Sequence, residues 1–182
     1  MTAANNILTF LVSTLFTLYI SAVLIRIILA MVRADFYNPI SQFIVTITNP
    51  LLIPLRKFLP SIGKIDTASW TLAAGLQILE LVILFSLKDL QAGADTLIVS
   101  AIFKLLIILV TIFLYAVLIR AILSWFPSPQ MYQNPLFSIL VAITEPLMRP
   151  VRRIIPAVGA FDLSALVVIL VLYSILIALR SF

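Results

Sequence analysis

Two charged side chains stand inside otherwise apolar stretches of this chain, Glu80 and Lys104. They lie twelve residues either side of Ala92, the centre of a short polar stretch from Lys88 to Thr96. If the flanking runs are antiparallel helices, both charges fall at one depth. A lone charge within a membrane helix costs roughly 2.5–3.5 kcal/mol on insertion scales, so a carboxylate and an ammonium at matched depth should pair. Ala73 and Gln77 share the Glu80 face by helical spacing, and Thr111 and Tyr115 share the Lys104 face. Such an intramembrane ion pair either locks two helices together or serves an ion or proton path. The lock is preferred, because neither charge recurs in the other half of the chain: at an offset of 96 residues their counterparts are Leu176 and Leu8.

Other chemistry is removed by composition. The chain has no His and no Cys, which takes away Cys/His zinc sites, thiolate nucleophiles, Ser-His-Asp triads and His-ligated haem. Its 4 Gly have no phosphate-cradling spacing. No catalytic, cofactor-binding or metal-binding residue is therefore expected, and the chain reads as non-enzymatic.

The elements that position Glu80 and Lys104 follow from hydropathy. Of 182 residues 63% are hydrophobic and only 10% charged, with a mean hydropathy of +1.23. A soluble domain is nearer half apolar, so the excess calls for an apolar solvent. Four runs approach the 20 or so residues needed to cross the hydrocarbon core: about Ile7–Met31, Thr67–Leu87, Leu97–Trp125 and Leu163–Leu179. They are continuous rather than alternating, which predicts helices and not barrel strands. The first has no basic stretch ahead of it and is long for a signal peptide, so it is expected to be a retained helix.

Loop charge sets the expected orientation. Val32–Asp66 carries Arg33, Arg56, Lys57 and Lys64, and Phe126–Asp162 carries Arg149, Arg152 and Arg153. These long loops should face the cytoplasm, with both termini and the short loop outside. Trp70 and Trp125 fall at the cytoplasmic ends of their runs, where indole favours the interface.

The second half repeats the first. Without a gap, Asn38, Pro39, Thr48, Pro50, Pro54, Arg56, Gly63 and Asp66 recur as Asn134, Pro135, Thr144, Pro146, Pro150, Arg152, Gly159 and Asp162. Upstream, Leu24-Ile25-Arg26 recurs as Leu118-Ile119-Arg120. The units are 1–92 and 93–182. Each holds two spans, so both insert the same way up, as a parallel repeat about an axis along the membrane normal. Between the spans, Asn38-Pro39 and Asn134-Pro135 read as N-cap plus first-turn proline. About ten apolar-rich residues follow before Pro50 or Pro146 is expected to stop the helix. That is too short to span, so the helix should be interfacial or re-entrant. The expected fold is an all-α membrane protein of four transmembrane helices, arranged as two parallel two-helix repeats, each with such a short helix.

Arg26 and Arg120 sit near helix C-termini, where snorkelling to the headgroups is the preferred reading and pairing with Asp66 and Asp162 the alternative. Arg56, Lys57, Arg152 and Arg153 fix topology and offer charge to anionic lipid. They are too few, and lack the interleaved aromatics, for nucleic-acid binding. Thr9, Ser13, Thr17 and Ser21 form a ladder that reads as a packing seam, with a pore lining the rarer choice.

The doubled pattern, Leu-Ile-Arg, then Asn-Pro, then Thr-x-Pro-Leu-x-x-Pro-x-Arg-(Lys/Arg)-x-x-Pro followed by Gly and Asp, resembles the YggT family of small bacterial membrane proteins with chloroplast relatives. It stands here as Thr48–Asp66 and Thr144–Asp162. Two-unit members typify Gram-negative bacteria, so the resemblance implies a multi-pass protein of the bacterial inner membrane. It implies no enzyme activity and no cofactor. The roles it carries differ by lineage: tolerance of osmotic or ionic stress, organisation of division and nucleoid, and assembly of a plastid b-type cytochrome. Expected partners are membrane lipids and other membrane proteins, with a homo-oligomer left open. A non-enzymatic scaffold or assembly factor is the first expectation, and an ion or osmolyte channel or transporter the alternative.

Overall fold

The computed structural model describes residues 3–61, 66–125, 128–154 and 163–181. Among the described residues the chain is helical, with no strand. Four long apolar helices form the spans: α1 (Ala3–Met31), α3 (Thr67–Leu87), α4 (Ala94–Ser124) and α7 (Leu163–Arg180). Between them lie α2 (Pro39–Phe58), the single turn α5 (Pro129–Tyr132) and α6 (Pro135–Ile154).

Local chemistry sets the ends. Asn38 caps α2 by accepting from the Ile40 amide at 2.9 Å, ahead of Pro39. Asn134 does the same for the Leu136 amide at 2.9 Å, ahead of Pro135. Asp66 caps α3, accepting from the Ser69 amide at 3.3 Å. α1 ends in a tight left-handed turn: Arg33 has φ 52°, and the Ala34 amide returns to Leu29 O at 2.9 Å. This satisfies carbonyls that the helix end would leave open. α3 ends likewise at Asp89, φ 53°.

Each unit is a packed pair, α1 on α3 and α4 on α7, and the units meet through α3 on α4, α1 on α4 and α6, and α2 on α6. One cluster joins them, with Ile28 and Leu29 of α1 against Ala116 of α4 and Ile139, Leu140 and Ile143 of α6. The symmetry is incomplete: α7 does not pack on α1 as α3 packs on α4. Only 11% to 28% of each span's apolar window is buried within the chain. Surfaces such as Phe10, Leu15, Leu18, Leu170 and Ile177 are exposed, and so much contiguous apolar surface requires lipid around it. The chain is a multi-pass membrane protein.

One expectation is corrected. Pro50 and Pro54 do not end α2, and Pro146 and Pro150 do not end α6; each helix runs 20 residues with both prolines inside. A mid-helix proline removes one backbone bond and crowds the preceding turn. In α2 that turn is held from outside. The Tyr19 hydroxyl donates to Ile47 O at 3.2 Å and Arg26 Nη1 to Val45 O at 3.3 Å. These bonds draw on the backbone beside Thr46, whose carbonyl loses its partner to Pro50. Tyr19 lies about three turns of helix in from the α1 end, so the middle of α2 packs into the bundle's flank. In α2, Ser41, Ile44, Thr48 and Leu52 face inward, while Arg56 and Lys57 stay in the exposed last turn.

Candidate functional site

The short loop between α3 and α4 makes them an antiparallel pair, which brings Glu80 and Lys104 together. Lys104 Nζ donates to Glu80 Oε1 at 2.5 Å. The other carboxylate oxygen, Oε2, accepts from Gln77 Nε2 at 2.7 Å. Glu80 and Gln77 are 0% exposed, whereas the Lys104 side chain keeps 29% exposure. Both carboxylate oxygens are thus satisfied, which is what a buried charge requires. Gln77 Oε1 has no hydrogen-bond partner among the described residues.

Lys104 also borders a cavity of about 390 Å³ between α1 and α4, lined by Thr17, Ser21, Thr111 and Tyr115. In the register set by Arg26 and Arg120, Thr17 corresponds to Thr111 and Ser21 to Tyr115, so the two repeats present equivalent positions to it. In that register Lys104 corresponds to Phe10 rather than Leu8, and the charge still lacks a counterpart. Part of the Thr/Ser ladder therefore faces this space. Ser21 Oγ donates to Thr17 O at 2.7 Å and Thr111 Oγ1 to Ile107 O at 2.6 Å, so these hydroxyls turn lone pairs outward.

Arg26 does not snorkel. It is 7% exposed, and Nη1 reaches Thr48 Oγ1 at 2.6 Å and Asn49 Oδ1 at 2.9 Å. Thr48 in turn donates to Ile44 O at 2.7 Å. In the second unit Arg120 Nη1 reaches Thr144 Oγ1 at 2.7 Å, and both terminal nitrogens lie 3.2 Å from Glu145 Oε2. The arginine–threonine bond is therefore shared by both units and ties each first span to the middle of its proline-bearing helix. With fixed acceptors beside it, the guanidinium satisfies its donors inside the fold and need not reach the headgroups. Thr48 and Thr144 recur beside the arginines, and that shared recurrence was the signal available in the sequence.

The partner of Asp66 is Arg56, not Arg26. Arg56 Nη2 bonds Asp66 Oδ2, and Ser69 Oγ donates to the same oxygen at 2.7 Å. Burial pushes the Asp66 carboxyl up, but the bonds from Ser69 and Arg56 outweigh it and hold it below its ordinary value of 3.8. Arg152 lies 4.0 Å from Glu145 Oε2. Gly63, Gly159 and Asp162, with the expected Arg120–Asp162 pairing, lie outside the described residues.

Asn38 has a contact that its capping role does not announce. Its Nδ2 crosses to the other unit, donating to Pro135 O and Ser138 Oγ, each at 2.9 Å. One side chain thus caps α2 and ties it to the start of α6. Among the described residues no group of His, Cys, Asp or Glu is placed to hold a metal ion.

Comparison with known proteins agrees with the doubled architecture. The family model described as CCB3/YggT matches residues 5–87 and again 99–182. The protein of the proC 3′ region of Vibrio alginolyticus is 44% identical over 165 residues, covering 89% of this chain and 87% of that one. The YggT protein of Escherichia coli K12 is 39% identical over 173 residues, covering 93% and 87%. A Pseudomonas aeruginosa protein is 39% identical over 174 residues, covering 94% and 87%. No solved structure matches. With both halves matched in turn and such identity along nearly its whole length, the chain belongs to the CCB3/YggT family.

Proposed function

We propose that this chain is a non-enzymatic scaffold or assembly factor of the bacterial inner membrane, with its two long loops in the cytoplasm and its termini outside. One observation carries the reading: the charges inside the spans close on their own fold. Glu80 spends one oxygen on Lys104 and the other on Gln77. Arg26 spends its charge on α2. Groups committed in this way hold helices at fixed positions, which suits a platform. The exposed apolar flanks of α1 and α7 then serve as faces for spans of other membrane proteins. Osmotic or ionic stress tolerance and division are the settings in which such a platform would act.

Cross-linking in intact membranes tests this reading: specific membrane-protein partners should be captured, and lost when an α1 or α7 face is altered. A second reading, an ion or osmolyte channel or transporter, draws on the hydroxyl-lined cavity beside Lys104. Purified protein in liposomes separates the two. Flux above empty vesicles that Glu80→Gln abolishes would replace the scaffold with transport, and silence together with a captured partner supports the scaffold.

A further inference from the structure

Between the repeats an apolar crevice opens on the side of the long loops. Ile28 and Met31 of α1, with Val32 just beyond it, form one wall, Trp70 of α3 and Phe113 of α4 the others, and Leu147 of α6 closes it, around a space of about 410 Å³. It reaches inward to Leu109, which lies about 22 Å of helix rise from the α4 end at Ser124. Val32 and Pro146 are shared with an adjoining, more open space of about 480 Å³, whose lining adds Glu145 and Arg149. A long apolar slot thus leads to a rim that carries a cation.

The rim has a particular electrostatic arrangement. Glu145, one helical turn before Arg149, is its ordinary helix-surface partner, but that carboxylate is turned to Arg120 at 3.2 Å and Arg152 at 4.0 Å. Arg149 is exposed and makes no ion pair among the described residues. The equivalent position in the first unit is Ile53, and the equivalent of Glu145 is Asn49. The set is therefore confined to α6.

The geometry points to a binding site for an anionic phospholipid, with an acyl chain in the crevice between the repeats and the phosphate on Arg149. An apolar slot alone suits any lipid tail. The Arg149 guanidinium at its mouth, without an ion pair among the described residues, favours the anionic headgroup, because a zwitterionic lipid balances its phosphate with its own ammonium while an anionic one leaves a net charge for the cation. Trp70 at the wall is placed to report the tail. The site stands whether or not the chain is a scaffold, since its occupancy needs no protein partner.

The test uses the full chain carrying Trp125→Phe, which leaves Trp70 as the one indole of the 2 in the sequence. The protein is reconstituted in phosphatidylcholine vesicles with either brominated phosphatidylglycerol or brominated phosphatidylcholine at matched mole fraction, and Trp70 quenching is followed. The anionic lipid should reach half-quenching at a mole fraction about five-fold lower, the effect of one basic residue at headgroup level. Arg149→Gln should bring the two curves together, and Arg149→Lys should keep most of the gap. Lys57→Gln, an exposed charge on α2, should leave it unchanged. Leu147→Phe, which narrows the slot, should weaken quenching by both lipids. Coincident curves in the parent, a gap that survives Arg149→Gln, or equal loss on Lys57→Gln would overturn the site; the last would assign the attraction to general surface charge.

Discussion

Replacing Lys104 by Met removes the cation that faces a carboxylate of 0% exposure. Glu80 is then left buried with only the Gln77 amide to hold it. Breaking a buried pair in this way costs about 3–5 kcal/mol. Lys104 is 29% exposed, so some screening already weakens the native pair, and a loss of about 3 kcal/mol is expected. That is more than a hundred-fold in the folding equilibrium. Glu80→Gln should cost less, because a cation with an exposed flank can move toward the cavity. The exchange of both charges (Glu80→Lys with Lys104→Glu) should recover most of the loss. Reversible unfolding in mixed micelles, followed by circular dichroism, gives each free energy and hence the coupling. An exchange variant as unstable as the worse single variant would refute the pairing argument.

Arg26→Met should destabilise by about 2–4 kcal/mol, since it removes the donor to the buried Thr48 hydroxyl and the half-buried Asn49 carbonyl; Thr48→Val should cost about 1–2 kcal/mol, and the two losses should not add in a double-mutant cycle. Asp66 is held below its ordinary value of 3.8, so its contribution is present above that value and is lost as pH falls through the lower folded one. Thermal unfolding of the parent should therefore show an acid-side decline that Asp66→Asn flattens. Leu52→Ala, at a site of 0% exposure, should cost about 1–2 kcal/mol, below the 2–5 of a soluble core, because lipid removes the water-transfer part and leaves the cavity part. A loss of the full soluble size in the same micelle assay would show that this site meets water when the chain unfolds.

The four spans were legible because hydrophobic length against bilayer thickness is a one-dimensional criterion. The Glu80–Lys104 contact was legible for a related reason: a short loop fixes antiparallel register, and equal distance along the chain from Ala92 becomes equal depth. Pro50 and Pro146 do not stop their helices as the local rule expects, because a mid-helix proline costs one backbone bond and packing of the helix against the bundle outweighs that loss. Tyr19 and Arg26, distant in sequence, hold the turn that the proline weakens. Arg26 was misread because position in a helix says how near a side chain is to headgroups, but not whether a closer acceptor stands beside it.

The repeat, the caps at Asn38 and Asn134 and the need for lipid were written in the order of residues alone, since each depends on neighbours along the chain or on summed hydropathy. The sequence could not specify that Asn38 bonds across to Pro135 and Ser138, that Glu145 turns from Arg149 to Arg120, or that α7 leaves α1 uncovered. Those outcomes depend on how helices pack, within a unit for Glu145 and between the units for Asn38 and α7, and near-identical motifs fit more than one such packing. Only the tertiary structure chooses among them, because the choice is made by distances between groups that the chain places from 25 to 100 residues apart.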